Sequence, residues 1–240
     1  MPKFFNEKLI GILHDIGVNI DDNIANVFKK YMEILLEWNQ KINLTAITEE
    51  DDILLKHFTD SLTILRYIEN NKKIVDIGTG AGFPGVPLSI IKKENEFYLV
   101  DSLNKRINFL SEVKTKLDLE NVHNLHYRAE EFGKNINYRE IFDIAVSRAV
   151  ANLSTLAEYL LPLVNLGGKV ICMKGSNVEE ELNQAKFAIN ELGGKLIKIE
   201  ELVLPRTDMK RTIIIIEKIK NTPLKYPRKA GLPAKQPLVK

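Results

Sequence analysis

The sequence predicts an α/β fold in which a largely parallel sheet is covered by helices on both faces, closed by an antiparallel hairpin and preceded by a helical N-terminal extension. Three features carry this expectation. From residue 73 onward, short β-branched runs alternate with helical periodicity. A glycine-rich turn, DIGTGAGFPG (Asp76 to Gly85), joins the first of those runs to a helix. At the other end, GKLIKIEELVLP and RTIIIIEKI are two strand runs separated only by a short polar turn.

Each element has its own signal. Ile24, Val27, Phe28, Tyr31, Met32, Leu35 and Trp38 recur at three- and four-residue steps, with Asp21 and Asp22 placed to cap the start of a helix. A second helical run is expected over about 50–67, with Ile53, Leu54, His57, Phe58, Ser61, Leu62 and Leu65 on one side, and WNQKINLTAI (38–47) as the loop between. KIVDIG then reads as a strand and VPLSIIKK as a helix; FYLVD (97–101) is a strand followed by a helix from Asn104 to Leu117. NVHNLHY (121–127) and FDIAVS (142–147) are further strands, the second leading into the helix NLSTLAEYLL. GGKVICMKG (167–175) is a strand opened by a turn at Gly167–Gly168, and a helix runs from Val178 to Leu192. Three segments follow: a helical extension over 1–70, an α/β core over 71–218 and a tail over 219–240.

Composition narrows the class. At 27.4 kDa a compact fold exposes about 10,900 Å² and buries roughly 70% of the unfolded surface, an ample core without cross-links. The single Cys172 forms no internal disulfide, and no apolar run is long enough to cross a bilayer. A soluble, intracellular, monomeric chain with no membrane partner is expected. Residues 1–60 hold six lysines against eleven carboxylates, a balance of −5, whereas 218–240 hold seven cations and no carboxylate side chain. Five of the nine prolines fall in the last 36 residues. Such a tail packs no core of its own: it is a basic strip lying on the body or on a polyanion, or else a frayed solvated end.

The glycine loop admits two ligand classes. Gly80, Gly82 and Gly85 satisfy the G-x-G-x-x-G spacing of a dinucleotide site, while Asp76, Gly78, Gly80 and Gly82 satisfy the D-x-G-x-G-x-G pattern of S-adenosylmethionine sites. Asp101, ending the second strand, suits ribose hydroxyls in either case, or caps the following helix. Asp76 ends the first strand where a cationic amino-acid moiety would lie. The closing hairpin is typical of methyltransferase sheets by fold analogy, and together these favour methyl transfer over hydride transfer. A third reading is a fold retained for RNA docking without turnover. Ala129 and Glu130, just after the third strand, face the same crevice and suit an adenine edge.

Taken together, DIGTGAGFPGVPLSI, DSLNKRINFL, SRAVANL, GGKVICMKG, YPRKAGLPAKQPL, WNQKINLTAI and KHFTDSL closely resemble the bacterial small-subunit ribosomal RNA methyltransferase G family, formerly called glucose-inhibited division protein B. The matches run from Trp38 to Leu238. The resemblance implies a class I S-adenosylmethionine-dependent methyltransferase fold with a seven-stranded sheet. It further implies methylation of guanine N7 at one position of 16S ribosomal RNA, in the decoding-region loop. The cofactor would be S-adenosylmethionine, with contacts at Gly78, Phe83, Ala129, Glu130 and Arg148 and the ribose at Asp101, Ser102 and Leu103. The partner would be 16S RNA or the small ribosomal subunit.

The residues are compatible with that chemistry. Guanine N7 has a free lone pair, so its methylation needs in-line positioning and no general base. The N/D-P-P-Y/F motif of exocyclic-amine enzymes is replaced by SRAV (Ser147 to Val150), and Cys172 sits mid-strand among apolar neighbours, where its thiol is unreactive. Arg148 is expected to project into the crevice toward guanine O6, a phosphate or the cofactor. Lys174, Arg206, Lys210, Arg211, Arg228 and Lys229 are expected to form an RNA-binding basic rim, with Phe83 and Tyr226 as stacking candidates. His57 is expected to pack or to pair with Asp60. His123 and His126 make a poor metal site, and no metal is expected.

Overall fold

The computed structural model describes residues 2–148, 151–176 and 178–239, with side chains from Phe4 onward. Its surface of 11290 Å² is close to the value expected from mass alone. Seven strands form one sheet in the order β3-β2-β1-β4-β5-β7-β6. They are β1 (Lys73–Ile77), β2 (Glu96–Asp101), β3 (Val122–His126), β4 (Phe142–Arg148), β5 (Val164–Lys174), β6 (Gly194–Val203) and β7 (Lys210–Lys218). The first five pair in parallel, while β7 runs antiparallel between β5 and β6. Strand order reverses at β1, which pairs with β2 on one side and β4 on the other. That reversal opens a crevice beyond the strands' carboxyl ends.

Helices α1 (Pro2–His14), α2 (Asp22–Ile42), α3 (Glu50–Asp52), α4 (Asp60–Leu62), α5 (Gly85–Ile91) and α6 (Asn104–Leu117) cover one face, burying Leu9, Phe28, Phe58 and Phe109. The other face carries α7 (Ala129–Lys134), α8 (Leu153–Leu160) and α9 (Glu179–Glu191), with Phe132, Leu156, Leu160 and Ala185 inside. A short α10 (Leu232–Lys235) lies in the tail. Asp21 caps α2, its Oδ1 accepting from Ile24 N at 2.9 Å, and Asn43 ends that helix in the left-handed region at φ 49°. Among the described residues, no helix is long and apolar enough to cross a membrane.

Three local expectations need correcting. The loop expected over 38–47 starts only at Asn43, because α2 continues through Trp38 to Ile42. The run expected as one helix over 50–67 is α3, then a π-helix over Ile53–Thr59, then α4 and a 3₁₀ turn over Leu65–Tyr67. Side-chain hydroxyls compete for the helix carbonyls here: Thr59 Oγ1 donates to Leu54 O at 2.7 Å and Ser61 Oγ to His57 O at 2.6 Å. Gly167–Gly168 is no turn before a strand but a bulge inside β5, where the register against β4 shifts. A Cβ on Gly168 would stand 2.6 Å from Asp143 O.

The tail lies on the body. Arg228 grips the fully buried carboxylate of Glu158, with Nε at 2.9 Å and Nη2 at 2.7 Å. Arg139 reaches the carbonyls of Thr222 and Tyr226 at 2.7 and 2.8 Å, and Thr155 Oγ1 donates to Pro233 O at 3.0 Å. Removing one partner of a buried ion pair strands the other charge. Arg228→Ala should therefore lower unfolding stability by about 3–5 kcal/mol in urea titrations. Lys229→Ala, at an exposed neighbour, should change it by no more than about 0.5 kcal/mol.

Candidate active site

At the crevice lies a cleft of about 680 Å³ whose wall includes Gly78, Gly80, Phe83, Asp101, Glu130 and Arg148. The chain leaves β1 through glycines at φ 70° (Gly78), 61° (Gly80) and 92° (Gly82), conformations that side-chain-bearing residues rarely adopt. Several of the loop's polar groups are held by the surrounding elements. Gly78 N and Thr79 N donate to Val100 O at 2.9 and 3.2 Å, Gly80 N to Asp101 Oδ2 at 3.0 Å, and Tyr31 Oη donates to Ala81 O. A Cβ on Gly80 would meet nothing nearer than 4.0 Å, so it would project into open cleft. On Gly82 it would come within 2.6 Å of Val86 and 2.8 Å of Tyr31. Gly80 is thus bare toward the cleft, whereas Gly82 is bare toward the packed helices.

The structure places Asp76 beneath this loop, fully buried and not among the residues that line the cleft. Its Oδ2 accepts from Thr79 Oγ1 at 2.7 Å and Gly85 N at 2.9 Å, while Oδ1 has no partner among the described residues. Burial raises this carboxyl to about 6, against the lowering pull of those two donors and of Arg148.

Asp101 ends β2 almost wholly buried. Oδ1 accepts from Leu103 N at 2.9 Å, and Arg106 Nη1 lies 3.1 Å from Oδ2. Leu103, not Asp101, is the N-cap residue of α6, so the capping alternative does not apply. Ser102 lines the cleft; the Leu103 side chain is exposed and does not. Beyond Ala129, Glu130 Oε1 accepts from Gly231 N at 2.7 Å and lies 3.4 Å from Tyr159 Oη. The tail therefore closes this end of the cleft. Arg106, Tyr127, Arg128 and Tyr159 line it too, and sequence reasoning missed all four.

At the other end, Arg148 turns toward the N-terminal helical segment. Its Nη1 reaches Lys56 O at 3.2 Å, His57 O at 3.4 Å and Asp60 Oδ2 at 3.5 Å; its Nη2 lies 3.3 Å from His57 Nδ1. The guanidinium sits 4.9 Å from the Phe83 ring centre, and the His57 ring stacks on Phe83 at 4.3 Å. Burial, seconded by the charge of Arg148, lowers His57 to about 3. Asp60 pairs with arginines, not with His57: Arg211 Nε is 3.1 Å from Oδ2. Thr45 and Leu44 complete this wall. The motifs holding Thr45 and His57 were visible in the sequence, but nothing local assigned them a place in the cleft.

The six cations expected as a rim are not assembled into one, and none lines the cleft. Lys174 pairs with Glu181 at 2.6 Å, Arg206 with Asp15 at 2.8 Å, Arg211 with Asp60 and Arg228 with Glu158. Lys210 and Lys229 are exposed. Phe83 and Tyr226 are both buried and present no open face for stacking. Cys172 is fully buried in β5, and burial pushes its thiol up to about 12. Of SRAV, Ala149 and Val150 lie outside the described residues. His123 pairs with Glu96 and His126 bonds Ser102 O, each on its own.

A seven-stranded sheet with an antiparallel β7 inserted between β5 and β6, and a bare glycine loop at its switch point, defines a class I methyltransferase fold. Solved structures agree. An Aquifex aeolicus SAM-dependent methyltransferase superposes with a TM-score of 0.52 over 68% of this chain and 91% of its own, at 15% identity. M. jannaschii TYW2, solved in complex with AdoMet, gives 0.52 over 68% of this chain and 76% of its own, at 16% identity. Within that class the chain belongs to the family described as GidB, rRNA small subunit methyltransferase G, whose model matches residues 24–211. A Clostridium tetani protein named ribosomal RNA small subunit methyltransferase G is 53% identical over 94% of this chain and 95% of its own length. The Alkaliphilus metalliredigens protein of the same name is 49% identical over 93% and 95%.

Two measurements test the loop. Gly80→Ala should cost about 1–2 kcal/mol of stability, the left-handed penalty alone; Gly82→Ala should cost more, because its clashes add to that penalty. In the folded chain Asp76 holds its proton up to about 6 against an ordinary 3.8, so its contribution is fully present below the lower value. Urea unfolding should show wild-type stability, relative to Asp76→Asn, falling as pH rises from about 4 through 6.

Proposed function

We propose that the chain transfers the methyl group of S-adenosylmethionine to N7 of one guanine in 16S ribosomal RNA, in the decoding-region loop. The observation that carries this reading is the cleft itself: main chain bare at Gly78 and Gly80, a carboxylate at the end of β2 and a second acid at the start of α7. A Cβ at Gly80 would occupy the cleft, which fits a nucleoside lying against the backbone. In this reading Asp101 receives the ribose hydroxyls, shared with Arg106, while Ala129 and Glu130 meet the adenine edge. Arg148 and Phe83 bound the methionine end. Asp76 acts through the loop, by tying Thr79 to Gly85.

Bound there, S-adenosylmethionine supplies an electrophilic sulfonium methyl. The N7 lone pair forms the new N–C bond as the S–C bond breaks, and no proton leaves N7. The groups at that end suit positioning and not proton removal. His57 is neutral near pH 7, with Nδ1 turned to Arg148, and Arg148 is a permanent donor. Support for the particular base comes from the family resemblance together with this placement.

The test is methyl transfer from labelled cofactor into small subunits and 16S RNA from a strain lacking the protein. The product is mapped by reduction and aniline scission, which cut at N7-methylguanosine. One labelled guanine in the decoding region is expected; label elsewhere, or on another atom, contradicts the reading. By calorimetry, Gly78→Val and Asp101→Ala should each weaken cofactor affinity at least about tenfold, the loss of a charge-assisted contact or its steric equivalent. Arg148→Ala should mainly lower turnover.

A further inference from the structure

The loop that follows α2 roofs the cleft beside Arg148, and it is pinned. Thr45 N donates to Asn39 Oδ1 at 2.8 Å, Lys105 Nζ reaches Ile42 O at 3.4 Å, and Thr45 itself lines the cleft. The Thr45 hydroxyl oxygen accepts from Ile47 N at 3.0 Å and lies 2.9 Å from His57 Nε2. The direction of that second bond is set on the far side of the ring. A guanidinium has only donors, so His57 Nδ1, 3.3 Å from Arg148 Nη2, must be the accepting nitrogen. A neutral imidazole with Nδ1 bare carries its proton on Nε2. His57 Nε2–H therefore donates to Thr45 Oγ1, and burial beside a cation keeps the ring neutral.

Both lone pairs of the Thr45 oxygen are then engaged, and among the described residues its own proton has no acceptor. An ordinary threonine hydroxyl turns to donate or accept and cannot tell one base from another. This one is restricted to donating. On the edge that carries N7, guanine presents a second acceptor, O6, whereas adenine presents the N6 amino donor. A fixed donor bonds to the first and opposes the second.

We infer that Thr45 selects guanine by donating its hydroxyl hydrogen to O6 of the target base, with His57 and Arg148 acting as the positioning residues that fix its direction. The inference rests on the N7 reading above and adds the group that chooses the base.

The test pairs protein and substrate changes under single-turnover conditions with saturating cofactor. Reconstituted small subunits carry either guanosine or 2-aminopurine riboside at the target; the latter keeps N7 and the 2-amino group and lacks O6. On guanosine, Thr45→Val should slow methylation about tenfold, the loss of one neutral hydrogen bond in a desolvated site, and Thr45→Ser should restore most of it. On 2-aminopurine, wild type should already be slow by about the same factor, and Thr45→Val should add little. Cofactor affinity should stay within about twofold in both variants, as it would for a residue that does not touch the cofactor. An equal loss on both bases, or a loss explained by cofactor affinity, overturns the role of Thr45. A wild-type product lacking N7-methylguanosine instead overturns the reading beneath it. Independently of any variant, nitrogen NMR of the wild-type chain should show His57 neutral and protonated on Nε2 from pH 5 to 8. A ring protonated on Nδ1 contradicts the inference.

Discussion

A carboxylate shielded from water holds the crest of the sheet in shape. Asp76 closes the glycine loop on itself by accepting from both of its ends, Thr79 and Gly85. Burial raises its carboxyl to about 6 against the lowering pull of those two donors, and among the described residues its second oxygen has no partner. The surrounding elements finish the job, with Val100 and Asp101 taking the loop's amides and Tyr31 its carbonyl. With the loop held in this way, Gly80 presents bare main chain to the cleft, and a ligand can approach it closely.

The second constraint is a shortage of negative charge at the opposite end. Arg148 and Arg211 share the buried carboxylate of Asp60. Arg148 also reaches the carbonyls of Lys56 and His57 and the His57 ring. The N-terminal helical segment therefore builds one wall of the cleft and is no mere appendage to the sheet. The C-terminal tail supplies part of the other end, through Gly231 on Glu130 and Arg228 on Glu158. Segments from both ends of the chain thus meet at the crevice formed by the central strands.

What was legible in the sequence was what local pattern determines. Strand and helix periods placed the parallel sheet and its closing hairpin. Glycine spacing located the loop, and an acid at a strand end located Asp101. The failures were interactions between residues far apart in the chain. Arg148, about ninety positions away, donates to a carbonyl of the π-helix, a contact no local pattern announces. The basic rim looked free because Asp15 and Glu158, which neutralise Arg206 and Arg228, lie 191 and 70 residues from them. The burial of Asp76 was not legible for a related reason: a strand-end residue points either into the crevice or under the loop, and composition does not say which. Thr45 and His57 stood in plain view within matched motifs, yet only the folded contacts bring them to Arg148.

The most direct measurement is a crystal structure of this chain grown with S-adenosylmethionine. The account predicts the nucleoside lying across Gly78–Gly80, its ribose hydroxyls on Asp101 and its adenine against Ala129 and Glu130. A cofactor bound elsewhere, or a loop collapsed so that side chains fill the space in front of Gly80, would contradict it.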